Sequence, residues 1–268
     1  MSAVLVVAGG VFKDSIRDRV AYNLVFFAVL LMAASFLLAQ LTAGQDVKII
    51  KDLGLSAASL IGLLIAIFIG IGLVAKEVER RSIYSLLAKP VTRTQFILGK
   101  YLGLVLTLVA NLSVMAVAYF AVLAYLAWVT PESVQRGWEA PATDPRLLQA
   151  FMLISVELML VTAVALFFST FSSPFLSAAL TLAVWIIGHA GADLRALEAL
   201  GASPILAALG RAVYFLFPSL APLNVTNAVV HGVPVTVEHM LLAATSAALY
   251  IALLLVAATL VFSRRDFK

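Results

Sequence analysis

Glu157 is the side chain in this 268-residue sequence that most needs a chemical reason for its position. It is the one charge in the apolar run from Leu147 to Ala192. A charge in the hydrocarbon interior of a bilayer costs a few kcal/mol, so such a group must face protein or a water-filled cavity. Two roles fit. It could line a substrate route, or it could hydrogen-bond another helix through a partner such as Asn111 or Ser113. His189 and Asp193 stand four residues apart and could share a helical face towards a metal, but two ligands are too few for a site. A satisfied or solvent-facing histidine is therefore expected at 189. His231 and His239 stand alone and read the same way. Gly70-Ile71-Gly72-Leu73-Val74-Ala75 matches a dinucleotide fingerprint in letters only, since no βαβ context surrounds it. Close packing explains it better: Gly62, Ala66 and Gly70 make a small-residue face for a neighbouring helix. No G-x-x-x-x-G-K-[ST], H-E-x-x-H or G-x-S-x-G occurs, and there are 0 cysteines. No catalytic residue, no metal site and no P-loop ATP site is expected in this chain.

The elements that must position these residues follow from composition. Hydrophobic residues make up 63% and charged residues 12%, and mean hydropathy is +1.08. Soluble chains carry about 25% charged residues, so this is a polytopic membrane protein rather than a cytosolic enzyme or a disordered chain. Continuous apolar runs without inside/outside alternation predict helices, not a barrel. Ser172-Ser173-Pro174 divides the longest run. Six spans are expected, at roughly 21–41, 53–75, 98–129, 148–170, 174–192 and 240–263. With the N-terminus inside, the inner segments hold twelve Lys and Arg, against six outside (Lys48, Lys51, Arg136, Arg146, Arg195 and Arg211). This bias predicts both termini in the cytoplasm. Val4–Phe12 is short for a signal peptide and no basic residue precedes it, so span one reads as an uncleaved anchor.

Between the spans, residues 4–19 predict an amphipathic interfacial helix. Val4, Ala8, Val11, Phe12, Ser15 and Ile16 fall on one side, with Lys13, Asp14, Arg17 and Asp18 on the other. Prolines at 204, 218, 222 and 234 break 193–239 into short pieces suited to outer re-entrant helices. Residues 76–100 are the most informative. Glu77 to Lys89 has a helical pattern, with Ile83, Tyr84, Leu86 and Leu87 clustered beside Glu79, Arg80 and Arg81, and Pro90 ends it. Thr92 and Gln95 then form a capping box, with Val91 and Phe96 as its staple. The helix that follows should run some 35 residues, about 50 Å, and so project from the membrane or tilt. Basic residues here could simply touch anionic lipid. The apolar cluster on a rigid mount also suits a knob for a soluble partner's groove.

Residues 77–103, E-x-x-R-R-S-I-Y-S-L-L-A-K-P-V-T-R-x-x-F-I-L-G-K-Y-L-G, resemble the inner loop of ABC-2 type exporter permeases. Phe168-Ser169-Thr170-Phe171-Ser172-Ser173-Pro174 and Ser263-Arg264-Arg265-Asp266-Phe267 look similar to the same family. The nearest subgroup is the NosY-like permeases, linked to multicopper enzyme maturation. The resemblance covers essentially the whole chain. It implies one all-α permease domain over 1–268, with six spans, the N-terminal interface helix, a cytoplasmic coupling helix at 77–90 and outer re-entrant helices before span six. It also implies location in the inner (cytoplasmic) membrane and a second permease copy, identical or paralogous. A separate ABC ATP-binding subunit, which carries the ATP and Mg, would dock on Glu77, Glu79, Arg80, Arg81, Ile83, Tyr84, Leu86, Leu87, Lys89 and Pro90. The lipid bilayer is the remaining partner; nucleic acid is not one.

Two other classes compete. A secondary transporter or channel would show charges in several spans and inverted repeats, whereas Glu157 is the lone span charge and no repeat is evident. A membrane scaffold would use the same inner lever to pull on an outer partner.

Overall fold

The computed structural model describes residues 3–39, 46–79, 92–191 and 216–263, together with 208, 210 and 212–214. Regular structure among them is entirely helical: α1 (Ala3–Ser15), α2 (Arg19–Ala39), α3 (Asp46–Glu79), α4 (Arg93–Val129), α5 (Arg146–Ser169), α6 (Pro174–His189), α7 (Thr226–Val230) and α8 (Val237–Ser263), with a single turn at Glu132–Gln135 and a 3-10 turn at Ala221–Leu223. Five of these, α2, α3, α4, α5 and α8, are long and apolar enough to cross a membrane. The expected fifth crossing is α6, which has only 16 residues. At 1.5 Å per residue it rises about 24 Å, less than a ~30 Å hydrocarbon core.

The centre belongs to α3 and α5. Two thirds (67%) of the most apolar stretch of each is buried, against 28% for α2 and α4 and 17% for α8. Small residues make this close approach feasible. A Cβ on Gly62 would lie 2.4 Å from Leu158 Cδ1, and one on Gly70 would lie 3.2 Å from Ala165 Cβ. Ala66 between them is buried. The Gly62/Ala66/Gly70 face therefore seats α5, as the four-residue spacing suggested. Helix α3 starts earlier than the expected residue 53, because Lys48, Lys51 and Asp52 extend it beyond the apolar run instead of ending it.

Helix α1 lies against α4. Ala8, Val11 and Ser15 are buried, while Lys13, Asp14 and Arg17 are exposed. The seat is Gly99 and Gly103, one turn apart: a Cβ on Gly103 would lie 2.7 Å from both Ala8 O and Val11 Cβ. The helix runs through Gly9-Gly10 and ends at Ser15, short of the expected residue 19. Asp18 then accepts from the backbone N–H of Val20 at 2.9 Å, at the first turn of α2.

Helix α4 begins as its sequence requires. Thr92 Oγ1 accepts from Gln95 N at 3.3 Å, and Gln95 Oε1 accepts from Thr92 N at 3.0 Å. The expected staple partner Val91 lies outside the described residues. At 37 residues, α4 is about 55 Å long. Arg93 Nη1 donates to the carbonyls of Phe262 and Ser263, so a cation satisfies the last carbonyls of α8. Phe96 stacks on Phe262 nearby, with ring centres 5.8 Å apart.

The opposite end is closed by short connections. Buried Lys51 donates to the carbonyls of Ala140 (3.5 Å) and Pro141 (2.8 Å). Lys48 pairs with Glu139 at 2.5 Å, and His231 Nδ1 lies 3.2 Å from the other Glu139 oxygen. The Lys48 hydrogen bond, with His231 second, holds the Glu139 carboxyl below its ordinary range. Arg146 donates to Gly232 O at 2.5 Å. Gly232 has φ +69°, a left-handed turn conformation that favours glycine.

Candidate functional site

The residues expected to dock a partner fall mostly outside the described residues: Arg80, Arg81, Ile83, Tyr84, Leu86, Leu87, Lys89 and Pro90. Glu77 and Glu79 belong to the final turns of α3. The structure describes the two mounts of that segment, α3 ending at Glu79 and α4 starting behind the Thr92 cap, and these two helices pack together.

Within the helices, the described chemistry gathers around Glu157. It sits about 16 Å along α5 from Arg146, near the middle of that helix, and is 1% exposed. The tight turn at Thr170–Ser173 folds α6 back along α5. Counted from that turn, Glu157 and Trp185 are nearly level, and Trp185 Nε1 donates to Glu157 Oε1 at 2.8 Å. One turn further, His189 Nε2 lies 3.5 Å from the same oxygen. His189 Nδ1 lies 3.1 Å from Trp185 O, and the Trp185 and His189 rings are 4.5 Å apart. A carbonyl only accepts, so Nδ1 carries the N–H there. The contact between Nε2 and the carboxylate then needs one further proton, held by either the imidazole or the carboxyl.

This corrects the expected partner. Asn111 donates to Thr107 O and Ser113 to Val109 O, both one turn back on α4. Their side chains are spent on their own helix, while the α5–α6 hairpin brings an indole N–H to the carboxylate. Asp193, the expected companion of His189, lies outside the described residues. No group of three or more His, Cys, Asp or Glu able to hold a metal occurs among the described residues. His239 Nε2 lies 2.8 Å from Pro222 O. Neither it nor His231 is isolated.

Glu157, Trp185 and His189 line an open cavity of about 440 Å³ between α3, α5, α6 and the segment containing α7. Its α3 wall is a polar stripe at helical spacing, Asp52, Ser56 and Ser59, and Asn224, Thr226 and Asn227 form the side towards α7. Among the described residues, no Lys or Arg lines it. Sequence reasoning did not pick out these neighbours. The 52/56/59 stripe and the hairpin register of 157 and 185 were the available signals.

A family model described as "ABC-2 family transporter protein" matches residues 5–267. The chain belongs to the ABC-2 transporter family. No curated protein matches it. This ABC-2 protein is thus a multi-pass membrane protein and the permease component of an ABC transporter, a transport subunit rather than an enzyme. The family associates with an ABC ATP-binding subunit.

Proposed function

We propose that this permease couples ATP hydrolysis in a separate ATP-binding subunit to export, with Glu157 lining the route. Family membership over nearly the whole chain carries the reading. Two arrangements support it. Residues 80–91 join α3 to α4 in the sequence, and these two helices are long, packed together and therefore able to transmit a push as helix tilt. And Glu157, near the middle of α5, lines an open cavity with polar walls. Ile83, Tyr84, Leu86 and Leu87 supply the buried contacts to the ATP-binding subunit, with Glu79, Arg80 and Arg81 at the rim. Two copies pack side by side in the inner membrane with termini in the cytoplasm, as the twelve-to-six distribution of Lys and Arg favours. ATP and Mg reside in the partner. Cargo of the NosY-like kind, related to copper or sulfur, rests on resemblance in the motifs at 77–103. The test is Tyr84→Ala combined with Leu87→Ala. ATPase stimulation by the permease is lost while the permease stays folded and in the membrane; undiminished stimulation would contradict the docking.

A further inference from the structure

We infer that Glu157 and His189 together bind one exchangeable proton from the water of the cavity, and that releasing it moves the His189 hydrogen bond from Trp185 O to Glu157. The inference goes beyond the proposed export and does not depend on it.

A proton count carries it. His189 makes two contacts at once, Nδ1 with Trp185 O at 3.1 Å and Nε2 with Glu157 Oε1 at 3.5 Å. Both facing atoms are acceptors, and a neutral imidazole has a single N–H. Holding both contacts therefore takes one proton more than a neutral ring beside a carboxylate possesses. The structure shows this loaded arrangement, in which the pair is neutral overall. Trp185 Nε1 donates to the same carboxyl oxygen at 2.8 Å, which keeps that oxygen in place whether or not the proton is present.

The cavity makes the proton exchangeable. The Glu157 side chain is only 2% exposed, whereas that of His189 is 24% exposed, so water reaches the pair through the imidazole. The α3 wall is open to water as well. The hydroxyls of Ser56 and Ser59 have no protein partner among the described residues. Those of Ser155 and Thr162 on α5 and Thr181 on α6 instead donate one turn back along their own helices. Among the described residues, Asp52 on α3 is the other titratable side chain lining the cavity, and Asn224, Thr226 and Asn227 on the remaining side carry no charge. Lys51 is turned onto the carbonyls of Ala140 and Pro141, and His239 onto that of Pro222.

Release of the proton to the cavity water leaves one N–H between two acceptors. A carboxylate accepts a stronger hydrogen bond than a neutral carbonyl does. The N–H therefore moves to Nε2, facing Glu157, and Nδ1 lets go of Trp185 O. The last turn of α6 loses that tie, beside an indole ring only 4.5 Å from the imidazole. The cavity wall thus changes with pH.

The experiment uses the full chain in nanodiscs, with isotope-labelled histidine and without any ATP-binding subunit. Replacing His231 and His239 by Gln leaves His189 as the sole histidine of the three. Ring-nitrogen NMR spectra then distinguish the Nδ1–H, Nε2–H and doubly protonated forms. A titration from about pH 5 to about pH 10 brackets the ordinary imidazole value. The wild-type pair should show a one-proton step with the Nε2–H form above it. In Glu157→Gln the acceptor at 157 has no charge, so the shorter contact to Trp185 O should keep the N–H on Nδ1 above the step. Asp52→Asn should retain the wild-type exchange. The inference is overturned if no step occurs in this range, if Nδ1–H persists above the step in the wild-type pair, if Glu157→Gln also exchanges to Nε2–H, or if Asp52→Asn abolishes the exchange. The wild-type titration can refute it alone, whatever the variants do to folding. Neither transport nor ATPase is read, so failure here leaves export and docking standing, and their failure leaves this site standing.

Discussion

Replacing Gly103 by alanine should loosen α1 from α4. The added Cβ would lie 2.7 Å from Ala8 O, a backbone atom, and 2.7 Å from Val11 Cβ and Cγ1. Carbon contacts are comfortable at about 3.5–4.0 Å, so the two helices must separate by close to 1 Å. Overpacking of this kind costs about 1–3 kcal/mol. The better helix propensity of alanine does not offset it, because α4 is helical whether or not α1 is docked. At about 1.4 kcal/mol per tenfold, the undocked population should rise between roughly fivefold and a hundredfold. The chain has 0 cysteines, so a single engineered thiol reports cleanly. Val11→Cys places it on the buried side of α1, where Val11 is 6% exposed. When docking and undocking are fast relative to labelling, the maleimide rate follows the undocked fraction. The rate should rise by the factor above in the Gly103→Ala background. It should not rise with Gly9→Ala, where an added Cβ meets nothing within 4 Å. A rate unchanged within twofold in Gly103→Ala would refute the glycine seat.

Three further outcomes follow from other contacts. Gly54→Ala would put a Cβ 2.3 Å from the fully buried Tyr119 ring, whose hydroxyl donates to Lys51 O at 3.2 Å. Displacing that ring should cost about 1–3 kcal/mol and lower the unfolding midpoint in detergent; an unchanged midpoint would contradict the packing. The Lys48–Glu139–His231 clasp depends on an ionised Glu139, whose folded pKa is depressed. Its contribution is present above the unfolded carboxyl value and lost as pH falls through the folded one, so Trp138 fluorescence should change below about pH 4, and Glu139→Gln should abolish that transition. Glu157→Gln should lower transport and partner-stimulated ATPase together; unchanged values would remove Glu157 from the route.

Much of the helical frame was legible because apolar runs and a capping box are local signals. Thr92 and Gln95 interact within one turn, so their sequence spacing is their geometry. The Gly62/Ala66/Gly70 face was readable for the same reason, and only its occupant, α5, needed the structure. Glu157 was legible as the one charge in a long apolar run, but its partner was not. Asn111 and Ser113 were reasonable polar candidates at membrane depth, yet each had a carbonyl one turn back on its own helix. Trp185 is apolar by composition, and only the α5–α6 hairpin turns its N–H into the donor. The length of α6 also escaped, because the uncharged run continues to Ala192 whereas the helix ends at His189. There the backbone N–H of Leu220 takes the Gly188 carbonyl at 3.0 Å, and Leu220 leaves no space beside that glycine.

The account turns on whether the 77–90 segment touches an ATP-binding protein. The most direct measurement is site-specific crosslinking in native membranes from Tyr84→Cys bearing a short photoreactive group. The account predicts an adduct with an ABC ATP-binding subunit, diminished when Leu87→Ala is added. Adducts with lipid alone would contradict it.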